Sequence, residues 1–158
     1  MGASTSRRAE LESAHCVTDR SGTAAGTLAE VDYRALARFR RSLRAFLHFS
    51  EEAARQAGIN PAQHQLLVAV RGTEGSEAPS VGDLADTLML RHHSAVELIN
   101  RAATAGLVLR VEDSSDHRRQ RVMLTELGTA KLSELSSRHR EELRRFREEG
   151  LAALRDID

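Results

Sequence analysis

The chain has 158 residues, enough for one domain with a true core. Its 41% hydrophobic and 29% charged content suits a soluble globular protein, and its 23 basic residues balance 23 acidic ones. These numbers argue against a uniformly basic nucleic-acid coat, while Cys16, the only cysteine, rules out an internal disulfide framework. With aromatics at 3% and no Trp, the core is expected to be Leu, Val, Ile and Ala, as in helices packed on helices. No apolar run approaches a membrane span, and the N-terminus lacks the apolar core of a signal peptide, so a cytoplasmic protein with no membrane partner is expected.

Residues 1–28 are rich in Ser, Thr, Ala and Gly and read as a flexible arm. From Ala29 to Gln56 the pattern is helical, with Leu36, Phe39, Leu43, Phe46 and Leu47 on one face. A helix of that length spans roughly 40 Å, long for a small domain and able to offer an apolar flank to a partner. Asn60-Pro61-Ala62-Gln63 is a strong helix start, because Asn caps, Pro suits the first turn and Gln reaches back to the cap amide. That helix is expected to run to about Arg71, followed by a loop through Gly72–Pro79.

Ser80-Val81-Gly82-Asp83 makes a second capping box, opening a short helix with Val81, Leu84, Ala85 and Leu88 inward. After Met89-Leu90 a third helix runs to about Ala105, burying Ala95, Leu98, Ile99 and Ala102, and Gly106 stops it. Two short strands follow, joined by a polar tip carrying Arg118 and Arg119. In the second strand Val122 and Leu124 share the packed face, leaving Arg121 and Met123 on the other. Thr125 caps a last helix reaching about Leu154, with Leu127, Leu132, Leu135, Leu143, Phe146, Leu151 and Leu154 as its apolar positions. Short helix, turn, helix, Gly and hairpin make a helix-turn-helix with a wing. The fold expected is mainly α: a winged helix-turn-helix with a small antiparallel β-wing and long N- and C-terminal dimerisation helices. The parts are a first dimerisation helix at 29–57, a DNA-binding lobe at 58–125 and a C-terminal dimerisation helix at 126–158.

The chain resembles the MarR family of transcriptional regulators from about Ala29 onward. The matching residues are Ile59-Asn60-Pro61-Ala62-Gln63, Val81-Gly82-Asp83-Leu84-Ala85, Ser94-Ala95-Val96, Asn100-Arg101, Ala105-Gly106-Leu107-Val108, Asp116-His117-Arg118-Arg119 and Leu124-Thr125-Glu126-Leu127-Gly128. The resemblance implies a homodimer with two winged lobes on a palindromic operator in double-stranded DNA, and repression relieved by a small ligand or by oxidation. It departs from the family's pattern at Arg91-His92-His93, where Ser or Thr is common, at Ala102, where Leu is usual, and at Glu97.

Arg118 is expected to enter the minor groove from the wing tip, with Arg119 beside it, and the resemblance makes Asp116 the acid that holds Arg118. His92, His93 and Ser94 open the recognition helix, where side chains and free amides meet DNA. Arg91 suits a phosphate; Glu97 suits a cytosine amino group or the repulsion of non-cognate backbone; Arg101 suits phosphate or an acid. Ser80 either takes a phosphate or simply caps its helix. From Arg91 to Arg121 six Arg face four acids, a slight local excess of positive charge.

The family's ligand pocket lies between the dimer helices and the reader lobe, where Arg44, His48, His64 and Arg71 are the polar candidates, with an aromatic or anionic effector implied. Structural hydrogen bonding is the alternative for those four. His48 with Glu51 and Glu52 has metal-ligand spacing but no second pair, so no metal or cofactor is expected. The family's oxidant sensing by a first-helix Cys is not expected, since no Cys follows Cys16. No phosphate loop or nucleophile constellation points to an enzyme. Two readings remain: a sequence-specific regulator that represses, and a winged-helix protein-interaction module without operator binding.

Overall fold

The computed structural model describes residues 30–73, 77–113 and 119–155. The expected arm with Cys16, and Asp116 and Arg118 of the hairpin tip, lie outside the described residues. Five principal helices surround a two-stranded sheet: α1 (Glu30–Gln56), α2 (Pro61–Gly72), α3 (Val81–Thr87), α4 (His92–Thr104), β1 (Val108–Glu112), β2 (Gln120–Leu124) and α5 (Glu126–Phe146). A π-helical turn (Arg147–Leu151) and a short α6 (Ala152–Leu154) close the described chain.

The starts follow the caps. The Asn60 side chain accepts from the Ala62 amide at 2.9 Å while Gln63 returns to the Asn60 amide at 3.1 Å. Three helix ends use one device. After α1, α3 and α4 the amide three residues past the helix end reaches back five residues: Ile59 to the Ala54 carbonyl, Leu90 to Ala85 and Leu107 to Ala102. The residue at the bend must then be left-handed, and Gly58 (φ +77°) and Gly106 (φ +70°) serve twice. At the third site Met89 takes φ 53°, with 94% of its surface exposed. Lys131, the only Lys, donates from Nζ to the Ala57 carbonyl at 2.7 Å, covering the end of α1.

The core is aliphatic. Leu66, Leu67, Leu84, Leu98, Ile99, Val122 and Leu135 are buried with Ala53, Ala54 and Ala102. All four expected residues of α4, Ala95, Leu98, Ile99 and Ala102, are buried, the last three in this core. The four Phe gather at the seam of α1 and α5: Phe39 and Phe46 lie 6.2 and 5.6 Å from Phe146, while Phe49 lies 5.8 Å from the His139 ring and packs against the aliphatic core.

The last helix departs from expectation. It does not run unbroken to Leu154 but widens into the π turn after Phe146. Gly150 lies there against α1, where an added Cβ would fall 2.8 Å from Phe146 and 3.1 Å from Ser42. Of its expected apolar positions, Leu135 is buried whereas Leu127, Leu143 and Leu151 are about half exposed. At the other end, the Leu107 carbonyl oxygen occupies the place of a Gly128 side chain, 2.0 Å from where a Cβ would stand. Among the described residues, no helix is long and apolar enough to cross a membrane.

Candidate nucleic-acid interface

Helix α4 buries its Ala95, Leu98, Ile99 and Ala102 stripe and leaves its opposite face in water. Arg91 is its N-cap without a side-chain cap bond, and Arg91, His92 and His93 are exposed at its leading end, with Ser94 half-buried. One turn on, Glu97 and Arg101 pair at 3.9 Å with side chains about two-thirds exposed, an arrangement weak enough for either to take another partner. Ser80 lies close by but is 6% exposed, and its hydroxyl is engaged: it donates to Asp83 at 2.8 Å and accepts from the Asp83 amide. The Ser80 backbone amide, its hydroxyl, and more weakly Arg119 and Arg121, hold the Asp83 carboxyl below its usual range against the effect of burial.

The hairpin stands next to α4. Its register pairs Val108 with Leu124, Leu109 with Met123, Arg110 with Val122, Val111 with Arg121 and Glu112 with Gln120. Alternation therefore puts Val108, Arg110, Val122 and Leu124 on the inner face. Leu109 and Met123 are exposed on the outer face, as a one-sided strand requires. Arg121, expected to share that wet face, is instead folded down. Its Nε donates to Asp113 at 2.6 Å and a terminal nitrogen donates to the Ala78 carbonyl at 2.8 Å, while Glu77 pairs with the other. Asp113 is 4% exposed, and its amide donates to the Arg119 carbonyl at 3.1 Å. The Val122 amide donates to Pro79, and Ser80 bridges to Arg121, so the loop before α3 lies along β2. The wing is thus tied at its base to the loop that launches the helix-turn-helix.

Between the wing, α4 and the start of α3 lies a cleft of about 420 Å³, with Arg110, Arg119 and Gln120 from the wing, His92 and Val96 from α4, and Ser80, Val81 and Gly82 from α3 and its cap. Arg110 makes one hydrogen bond, to Gln120 at 3.3 Å; its Nε and one terminal nitrogen are shielded from solvent and meet no acceptor.

A second cavity, of about 590 Å³, opens between α1, α2 and α5. Phe46, Val68, Leu88, Leu132 and Leu143 make it apolar, and its polar lining includes Ser50, Gln65, His64 and His139. Of the four expected ligand contacts only His64 lines it. Arg44 and His48 are exposed on α1, half a turn away from Phe46 and Ser50, and exposed Arg71 lies a turn beyond the lining residues of α2. The His64 and His139 rings sit 4.8 Å apart. Burial first, then the neighbouring His139, lowers the His64 pKa from 6.5 to about 4. The His139 Nδ1 lies 2.8 Å from the Leu135 carbonyl, which can only accept, so that nitrogen carries the proton; Nε2 lies 2.9 Å from the Ser50 hydroxyl. No cluster of three or more His, Cys, Asp or Glu able to hold a metal occurs among the described residues.

A family model described as the MarR family matches residues 57–120, which run from the end of α1 to the first residue of β2. The chain carries a MarR-family domain. Among solved structures, AbsC, a MarR family transcriptional regulator from Streptomyces coelicolor, is similar at 25% identity and TM-score 0.64, over 76% of this chain and 80% of that one. MepR of S. aureus in a DNA complex is similar at 20% identity and TM-score 0.59, over 71% and 80% of the two chains. CouR from Rhodococcus jostii RHA1, bound to p-coumaroyl-CoA, is similar at 24% identity and TM-score 0.58, over 69% and 75%. No curated protein sequence matches the chain.

In this MarR-family domain the structure brings Ser80, His92 and Arg119 together on one cleft, with exposed Arg91 and His93 flanking His92 in the chain. It also reveals roles for two residues, Arg121 and Arg110, that the sequence did not single out. The tie from Arg121 to Ala78 spans 43 residues and has no local signal. Arg110 did have one: it falls in step with Val108, Val122 and Leu124, at a position where a one-sided strand calls for an apolar side chain.

Proposed function

We propose that this protein is a sequence-specific DNA-binding transcriptional regulator that acts as a repressor, binding a palindromic operator as a homodimer and released by a small ligand. The observation that carries the reading is the exposed Arg91-His92-His93 end of α4 standing beside a hairpin fixed at its base, which suits insertion of α4 into the major groove and of the wing into the adjacent minor groove. MepR, of the same fold, is solved with DNA. Arg118, steadied by Asp116, is the proposed minor-groove probe, with Arg119 at its root. Ser94, Glu97 and Arg101 complete the proposed contacts on α4, and Ser80 contributes as the cap that aims α3.

The terminal helices, 30–56 and 126–155, are the proposed dimer clamp. Val31 and Tyr33 on α1, Leu143 on α5 and Leu151 beyond it expose between 45% and 54% of their surface, apolar area that a dimer contact would cover. The apolar cavity between clamp and lobe is the proposed effector site. No lining side chain carries a fixed charge and His64 is held neutral, which favours an aromatic over an anionic ligand.

Selection of bound fragments from randomly sheared genomic DNA of the source organism, followed by gel shifts of the enriched fragments at several salt concentrations, tests the reading. The expected result is enrichment of fragments sharing an inverted repeat, bound with an affinity that falls steeply with salt. If no fragment is enriched over random DNA, the operator reading fails and the protein-interaction module takes its place.

A further inference from the structure

Arg110 is an anomaly in the hairpin. It sits on the inner face of β1, directly opposite fully buried Val122, where packing calls for an apolar side chain. No ion pair reaches it among the described residues, and two of its three guanidinium nitrogens are shielded from water without an acceptor. A guanidinium cannot shed its proton, so this half-buried positive charge meets no counterion among the described residues. Its one hydrogen bond is to the exposed Gln120 side chain, which is free to swing aside. Beyond Gln120 lies the cleft between wing and α4, with Arg119 and His92 on its two sides and the Ser80-Val81-Gly82 start of α3 closing it.

We propose that Arg110 is the floor of a phosphate seat: a backbone phosphate of bound DNA enters the cleft between wing and recognition helix, displaces Gln120 and takes the unused N–H groups of Arg110. The proposal rests on the DNA-binding reading and adds a contact to it. The backbone is the ligand because of where the cleft lies. With α4 in a major groove and the wing in the adjacent minor groove, the sugar-phosphate strand dividing the two grooves has to run between those elements. Arg119 and His92 flank that strand, while Arg110 meets one phosphate end-on with a planar fork suited to it. The seat carries no base information; it fixes how far the wing lies from α4 along the duplex.

The test uses an enriched genomic fragment and the full chain. Each phosphate of one half-site is replaced in turn by a neutral methylphosphonate, and affinities are measured for wild type, Arg110→Gln and Arg118→Ala. Expected is one phosphate, between the two contacted grooves, whose neutralisation weakens wild type about tenfold. Arg118→Ala retains that sensitivity and Arg110→Gln loses it. Arg110→Gln also lowers the slope of log affinity against log salt by about one per seat, with a melting temperature equal to or above wild type.

Arg110→Gln that keeps the wild-type methylphosphonate profile overturns the proposal. So does a wild-type scan in which no phosphate between the grooves matters, which needs no variant at all. Inorganic phosphate that raises the melting temperature of wild type but not of Arg110→Gln, with no sensitive DNA phosphate, assigns the seat to a free anion and overturns the DNA assignment. Failure of wild type to bind any selected fragment is a separate result, against the DNA-binding reading itself.

Discussion

The Arg121 Nε sits 2.6 Å from the Asp113 carboxylate, joining the second strand of the wing to the residue that follows the first. The same guanidinium holds the Ala78 carbonyl and Glu77, so one side chain closes three segments on each other. The Asp113 hydrogen bond, opposed by burial and aided by the nearby carboxylates, raises its proton affinity, and it is charged at every accessible pH. Replacing it with Met leaves Asp113, 3% exposed at its side chain, without this counterion. Arg121→Met should lower the urea midpoint clearly, whereas Glu51→Gln, which breaks the exposed pair with Arg55, should hardly move it. Equal midpoints for both variants would show that the tie does not hold the wing.

The turn between α3 and α4 predicts a stabilising substitution. Met89 is left-handed at φ 53°, and its side chain is in water. Gly occupies the equivalent bend after α1 and α4. Met89→Gly should remove the Cβ strain and raise stability by about 1 kcal/mol, less whatever the freer unfolded chain takes back. Urea unfolding of the variant checks this, and a loss of stability would mean that the bend is not strained.

His64 sets a pH dependence. The unfolded chain takes up its proton near pH 6.5, whereas the buried ring resists until about pH 4. Between those values the unfolded state holds more protons, so its contribution is full above 6.5 and is lost as pH falls toward 4. The loss amounts to about 3 kcal/mol in all. Asp83, held below the usual carboxylate range, adds its own loss only at lower pH. Urea midpoints measured from pH 7 to 4 should fall for wild type and fall much less for His64→Leu. Parallel curves would remove His64 as the cause.

Arg118→Ala should weaken operator binding by roughly 1–3 kcal/mol and reduce the salt slope by about one unit for each phosphate equivalent it neutralises. An unchanged affinity across several salt concentrations would remove Arg118 from the interface.

What the sequence made legible was local. Asn60, Ser80 and Thr125 marked their helices because a cap and its amide lie within three residues, and the α4 stripe was readable from its period alone. What it hid was either distant or a departure from pattern. His64 and His139 meet across 75 positions, and Arg121 finds Ala78 across 43, with nothing nearby to announce either pairing. The π turn was hidden because Leu151 and Leu154 keep plausible helical spacing, and only the crossing of α1 at Gly150 shows why the helix must widen. Arg44 and His48 share the stretch of α1 that supplies Phe46, Leu47 and Ser50 but do not line the cavity, a rotational offset that sequence position alone does not reveal.

Leu107 and Gly128 meet with no gap between them, and the Thr125 hydroxyl bonds both the Gly106 carbonyl, at 2.6 Å, and the Gly128 amide, at 3.0 Å. That joint is a weld, not a hinge. The hairpin begins at Val108 and α5 at Glu126, so strand and helix leave the same rigid knot in different directions. Helix α5 also carries Leu132 and His139 of the cavity wall, so this knot joins that wall directly to the base of the wing.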